Sequence, residues 1–435
     1  MSESATDSAQ TVPVVSTANA PVPAVVVSPY PTAAAELTQL GPEGIRYDFN
    51  DGCRLLLPTR TSGLWRARLT DLDTGNVLFE NESTGAQINS SKRWFVRFKI
   101  EVWALDEGAA GPVRDVFSHE LDLVDQAVMI QFPVGTLGDS LAWFPYCDAF
   151  ARAHPQAKVT VALSSAIIPL LKHAYQNLTL LTHEEVKAQA LVAGLYATYS
   201  VGLFFNDVEC NHQPVDFRHV GLHRTAGQIL GVGSDELRAR LALADESRPI
   251  AERYVCIAVQ ATSAAKTWAN PLGWAEVVKF LKNQGYRVLC IDQKTAHGDG
   301  LYWTQIPHGA EDATGMSLSE TARYLMHAEF FVGLSSGLSW LAWCAGATTV
   351  LISGFSLPST EFSTPYRVIN WHTCNGCWSD PALRFDHKDF LWCPRHANTP
   401  RQFECTRLIT AEHVIRVMKT LPQVQAATVA AASFL

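Results

Sequence analysis

Four short stretches of this chain carry side chains that can do chemistry. The first is Gly135-Thr136-Leu137-Gly138-Asp139, directly after a short apolar run. Glycines there permit a tight turn and let the backbone approach a ligand closely. Asp139 can act as a carboxylate base toward an acceptor hydroxyl, or simply cap the helix that follows. The second stretch runs from Gln260 to Trp268 and holds Thr262, Ser263 and Lys266. Hydroxyls, amides and one lysine in a loop after a strand suit a phosphate, with a surface lysine as the plain alternative. It is not a Walker A loop, because no G-x-x-x-x-G-K-[ST] pattern is present. The third is Ser335-Ser336-Gly337 at a strand-to-helix turn, where amides and a helix dipole can face an anion, or where nothing more than a turn is needed. The fourth is Cys374-x2-Cys377-x15-Cys393-x11-Cys405. A CxxC pair with two further cysteines fits a closed tetrahedral site for zinc or a single iron, and a closed site leaves no position for catalysis. His372, His387 and His396 are alternative ligands.

The elements that must hold these stretches follow from the hydrophobic pattern. Residues 1–35 are rich in Ala, Val, Pro, Ser and Thr, with almost no charge, and read as a disordered leader. Residues 36–126 read as a β-rich module. Arg54–Leu57, Trp65–Leu69 and Val77–Glu80 are expected strands, with a hairpin signature at Asp71–Asn76 and period-two alternation from Trp94 to Trp103. Residues 127–248 read as a first Rossmann-like domain. It has a strand at Ala127–Phe132, a helix at Ser140–Ala153, a strand at Lys158–Leu163, further strands at Leu191–Val192 and Tyr199–Phe204, and a charged closing helix at Ser234–Glu246. Residues 249–370 repeat the pattern, with strands near Val255–Val259, Arg287–Ile291, Phe330–Gly333 and Thr349–Ile352 and helices at Gly273–Gln284, Ser317–His327 and Ser339–Ala345. Residues 371–406 form the cysteine excursion, and 407–435 a C-terminal helix and tail. The fold class is thus α/β: two Rossmann-like domains across a cleft, a GT-B-like arrangement that periodicity alone does not separate from other paired Rossmann-like folds, with a β-rich module and a four-cysteine metal-binding excursion.

With 435 residues and 47% hydrophobic content, the chain can bury several cores. Its net charge of −8 argues against broad nucleic-acid or anionic-membrane binding. The first twenty residues hold no Lys or Arg, so they lack the basic start of a secretory signal. The most apolar stretch, Phe330–Phe355, is broken by Ser335, Ser336, Gly337 and Ser339 and does not read as a membrane span. These points lead to an expectation of a cytoplasmic protein.

Long runs across the chain resemble the bacterial autotransporter heptosyltransferases, from about residue 40 onward. They include the stretch ending at Asp139; Val220-Gly-Leu-His223-Arg224-Thr-Ala-Gly227; Val255 to Gln260 with Lys266-Thr-Trp268; Gly333 through Trp340 to Trp343; Glu361-Phe-Ser-Thr-Pro-Tyr-Arg367; and Asp389 to His396 with Arg401 to Cys405. The resemblance implies a GT-B fold and inverting, divalent-cation-independent transfer of heptose from ADP-glycero-manno-heptose to serines of an autotransporter adhesin. It also implies a structural iron on Cys374, Cys377, Cys393 and Cys405, and a ring of twelve subunits. Residue by residue, it makes Asp139 the general base. Thr136, Leu137 and Gly138 belong with that turn in the substrate site. Thr262, Ser263 and Lys266 form the diphosphate loop, Asp292 lies near the ribose, Met316 near the adenine, and Ser335, Ser336 and Gly337 form the second phosphate loop. Ser335 stands where the related lipopolysaccharide enzymes have the Asp of an Asp-Thr-Gly-Leu run, and Trp340 where they have a His, which fits a protein acceptor. The other readings are a non-catalytic adhesin-binding assembly protein, opposed by Asp139 and Lys266, and a lipopolysaccharide-core enzyme, opposed by the β-rich module and the cysteines.

Overall fold

Runs of four or five apolar residues buried on both faces fit parallel strands covered by helices, and the chain uses them twice. The computed structural model describes residues 31–106 and 112–426, so most of the leader and the end of the tail lie outside it. In the first half, Thr179–Leu181, Lys158–Ala162, Ala127–Gln131 and Ala197–Ser200 pair in parallel in that order. In the second half, Glu311–Asp312, Arg287–Cys290, Tyr254–Ile257, Phe331–Leu334, Thr349–Ile352 and Arg367–Val368 form a six-stranded parallel sheet. The Gly273–Asn283 helix covers this sheet for a reason legible in its spacing: Trp274, Val277, Val278 and Leu281 recur on one stripe and are buried. Each such side chain contributes about 1.5–3 kcal/mol on leaving water.

The N-terminal strands divide between two sheets. Val77–Ser83, Leu64–Asp71, Phe98–Leu105 and Val113–Glu120 form a four-stranded antiparallel sheet. Burial alternates residue by residue along Leu64–Asp71, so Trp65, Ala67 and Leu69 face inward and Arg66 and Arg68 outward. The Asp71–Asn76 hairpin forms as expected, with Gly75 N–H donating to the Asp71 carbonyl at 2.8 Å and Gly75 at φ 73°. The other strands, Gln39–Leu40, Arg46–Asn50, Arg54–Leu57 and Ala86–Asn89, complete an eight-stranded sheet on the first half. Arg46–Asn50 joins it in parallel, with Phe49 opposite Ala197. The sheet therefore runs across the boundary expected between residues 126 and 127. Asp48, fully buried beside that seam, is held by Arg54 at 2.7 and 2.6 Å.

Three expected elements differ. Leu191–Val192 lies in a 3-10 turn, Leu191–Gly194, entered through Ala190 at φ 49°. The strand expected at Tyr199–Phe204 runs from Ala197 to Ser200 instead. Ser234–Glu246 is not helical. It is an extended strap whose Leu237, Leu241 and Leu243 pack on the main core. Its backbone bonds are made to the first domain: Tyr146 Oη donates to the Asp235 carbonyl (2.7 Å), Arg240 N–H to Tyr175 Oη (2.8 Å) and Ala242 N–H to the Leu170 carbonyl (3.1 Å). Tertiary partners for the backbone outweigh helix propensity here.

One apolar cluster spans the two halves, and a second lies within the C-terminal half. Leu141 and Trp143 of the Leu137–Ala153 helix pack in the same cluster as Leu338, Trp340 and Phe362 of the second half. Among the described residues no helix is long and apolar enough to cross a membrane.

Candidate active site

Two helices begin at the ends of parallel strands and point their N-termini into the cleft: Leu137–Ala153 and Gly337–Cys344. Their first turns touch through glycine. A Cβ on Gly138 would stand 2.9 Å from Trp340 Cδ1 and 3.2 Å from Gly337 Cα, and one on Gly337 3.0 Å from Leu137 Cβ. Only residues without a Cβ let both positive helix ends reach one spot. Ser336 lies at this junction, and its buried Oγ has no hydrogen-bond partner.

Two adjoining cavities open here and share Thr136, Thr262, Lys266, Ser336 and Gly337 as walls. The smaller, of about 70 Å³, adds Asp139, Ser335, Trp340, Glu361, Trp378 and His387. The larger, of about 460 Å³, adds Leu137, Gln260, Asp292, His297 and Leu318. Three of the four sequence stretches that could do chemistry thus meet at one place, and the cysteines lie apart.

Asp139 does both things its position allows. Its Oδ2 accepts from Thr136 N–H (2.6 Å) and Thr136 Oγ1 (2.9 Å), closing the helix start, while the residue lines the smaller cavity. Lys266 ends a 3-10 turn, Ala264–Lys266, capped by Ser263 Oγ, which accepts from Ala265 N–H. Its ammonium stands 5.3 Å from the ring centroids of Phe355 and Trp378 and 5.6 Å from that of Phe385. Such faces attract a cation. Burial lowers the Lys266 pKa, against the pull of Asp139 and Glu361. Glu361 is in turn paired with Arg367 at 2.5 Å.

Other expected site residues are placed differently. Ser263 is fully buried, and its Oγ donates to the Phe390 carbonyl at 3.4 Å rather than reaching the cleft. Asp292 touches the larger cavity, but its carboxylate accepts from Val259 N–H (2.8 Å) and Gln260 N–H (3.2 Å). It holds the strand end that carries the lysine loop, and burial raises its pKa. Met316 packs at the margin of the core, and Leu318, two residues on, lines the cavity instead. Ser335 Oγ donates to Ser353 Oγ at 3.1 Å. His387 and Glu361 are the site residues that residue patterns do not single out as such. Glu361 sits in a run noted for its likeness to a family, and the spacing of His387 suggests only a metal ligand.

The four cysteines line one small cavity of about 20 Å³ together with His396. His387 turns to the cleft, and His372 lines a separate groove. Among the described residues no group of three or more His, Cys, Asp or Glu side chains stands at metal-ligating geometry. The donor chemistry nevertheless fits a thiophilic cation. The four sulfurs border one cavity, and Arg395 Nη1 lies 3.7 Å from Cys374 Sγ.

Known proteins resemble this chain in sequence and fold. Residues 41–106 match the family model of the N-terminal domain of the glycosyltransferase TibC, and residues 219–384 match glycosyltransferase family 9 (heptosyltransferase). The autotransporter heptosyltransferase BAHTCr of Citrobacter rodentium is 52% identical over 385 residues, 88% of this chain and 90% of that protein. The crystal structure of the iron-containing dodecameric glycosyltransferase TibC from enterotoxigenic E. coli H10407 superposes with a TM-score of 0.83 at 49% identity, covering 91% of this chain and all of that one. A second TibC structure is a complex with ADP-D-β-D-heptose. BimC of Burkholderia thailandensis, named an inactive autotransporter heptosyltransferase, is 40% identical over 88% of each chain.

Proposed function

The chain belongs to the autotransporter heptosyltransferases, and from that premise we propose that it transfers heptose from ADP-glycero-manno-heptose to serine hydroxyls of an autotransporter adhesin, with inversion and Asp139 as general base. The observation that carries this reading is the meeting of Asp139, Lys266 and two helix N-termini at one pair of joined cavities. The diphosphate lies across the junction, where Lys266, Thr262 and the amides at Ser336 and Gly337 answer the charge that builds on the leaving ADP. The nucleoside occupies the larger cavity. Asp292 serves it by fixing the backbone at Val259 and Gln260 rather than by direct contact. Attack by the serine oxygen on the anomeric carbon breaks the bond to ADP, and the hydroxyl proton passes to Asp139. No divalent cation is required, because a lysine and two helix ends supply the positive field.

Domain roles follow: residues 127–248 carry the acceptor side and 249–370 the donor side. Cys374, Cys377, Cys393 and Cys405 hold one structural iron, with zinc as the alternative. The subunits assemble as a twelve-membered ring like the TibC relative, and the reaction takes place in the cytoplasm. A second reading, a cleft that binds an adhesin without catalysis, is favoured by the naming of BimC as inactive and opposed by the Asp139 and Lys266 arrangement in this chain.

Co-expression with an autotransporter passenger in a host that makes ADP-heptose tests the reading by intact mass. A ladder of heptose increments supports it. An unmodified passenger, together with no consumption of ADP-heptose, supports the binding protein. For the excursion, Cys377→Ser is expected to empty the protein of iron by elemental analysis and to make residues 371–406 the first site of limited proteolysis. Full iron content in that variant would remove Cys377 from the ligand set.

A further inference from the structure

His387 belongs to the cysteine excursion, yet it lines the smaller cavity with Asp139, Lys266 and Ser336. Among the described residues it is the only imidazole that lines that cavity. Its ring is clamped edge-on by Phe385, with centroids 4.7 Å apart at 85°, and by Phe205 at 5.9 Å and 78°. These aromatic contacts hold the ring at the mouth of the cavity, where the residue is exposed.

His387 lines the smaller cavity, which holds Asp139, and is absent from the larger one assigned to the nucleoside. A side chain beside the base and away from the nucleoside is placed to serve the acceptor. We propose that His387 contacts the acceptor serine: its N–H donates to the serine oxygen and orients the hydroxyl beside Asp139. This rests on the reading of the chain as a protein O-heptosyltransferase. The bookkeeping of the hydroxyl closes. Its proton goes to Asp139, one lone pair forms the new bond to the anomeric carbon, and the second lone pair accepts from His387.

The geometry asks for a neutral ring, because an imidazolium would pair with the Asp139 carboxylate and withdraw the base. The surroundings favour the neutral form. Partial burial lowers the His387 pKa and Lys266 pushes the same way, while Asp139 and Asp386 pull it back up. Glu361 is the remaining carboxylate lining the cavity, and the clamping rings of Phe205 and Phe385 carry no charge. As pH falls through the His387 pKa, transfer should decline.

The experiment measures kcat/KM for passenger, ADP affinity by calorimetry and iron content in wild type, His387→Ala and His387→Gln. His387→Ala is expected to lose about tenfold in kcat/KM for the passenger, the size of one substrate hydrogen bond, with ADP affinity and iron unchanged. His387→Gln keeps an N–H donor that does not titrate. It should recover most of the rate and lose the acid step assigned to the imidazole. Unchanged acceptor kinetics in His387→Ala, an equal loss of ADP affinity, or loss of iron alongside activity would each overturn the proposal. Wild type reports on the broader reading: if it adds no heptose to any passenger, that reading fails, whereas active wild type with an unaffected His387→Ala removes only the role of His387.

Discussion

Asp139→Asn is expected to lose about 10²–10⁴-fold in kcat/KM for heptose transfer, the ordinary contribution of an aligned base, while binding ADP as wild type does. The variant separates the two jobs of this side chain. Asn keeps an oxygen that can accept the Thr136 N–H, so the start of the Leu137–Ala153 helix survives. It cannot take a proton from the serine. Intact-mass analysis of the passenger measures the rate, and calorimetry measures the ADP affinity. Equal transfer by the variant would leave Asp139 as a helix cap and nothing more. Unfolding of the variant would instead show in the melting curve, with ADP affinity falling in parallel.

Lys266→Met should lose about 10²–10³-fold in rate, the scale of removing one preorganised electrostatic partner, and should also bind ADP more weakly. Met keeps an apolar stem among Phe355, Trp378 and Phe385 and deletes the charge. The wild-type pH dependence carries a second signature. Because burial lowers the Lys266 pKa, its ammonium gives up its proton below the usual lysine value of about 10.4. ADP affinity should therefore fall as pH rises through that lowered pKa. Lys266→Arg, which keeps its charge, should move the fall to higher pH. An ADP affinity in Lys266→Met equal to wild type would take the lysine out of the nucleotide site.

Much of this arrangement could be read from residues near one another in sequence. The strand ending before Gly135, the loop holding Lys266 and the turn at Ser336 all follow a local rule, an apolar run and then small residues. What escaped the sequence depends on partners far along the chain. Asp292 reads as a free carboxylate at a strand end, and only its bonds to amides 32 and 33 residues earlier show that it is occupied. His387 reads as a companion of the cysteines until the fold lays the excursion against the cleft. Ser234–Glu246 has helical composition, but its backbone finds partners in Tyr146, Tyr175 and Leu170. Of the eight N-terminal strands, four were legible singly, and Arg46–Asn50 was not among them. That half of them would complete the neighbouring sheet depends on the match of Arg46–Asn50 to Ala197–Ser200, which no local pattern encodes.

The seam between the halves has a consequence for how such an enzyme can be altered. Gly138 and Gly337 meet without room for a methyl group, and Leu141, Trp143, Leu338, Trp340 and Phe362 share one apolar cluster across the cleft floor. A chimera that grafts the donor half of another sugar transferase onto this acceptor half inherits the seam's mismatches before it inherits any new specificity. The unit of exchange is therefore the pair of helix starts with their tryptophans. A graft that carries this set should melt as one cooperative body, and one that splits it should melt in two steps.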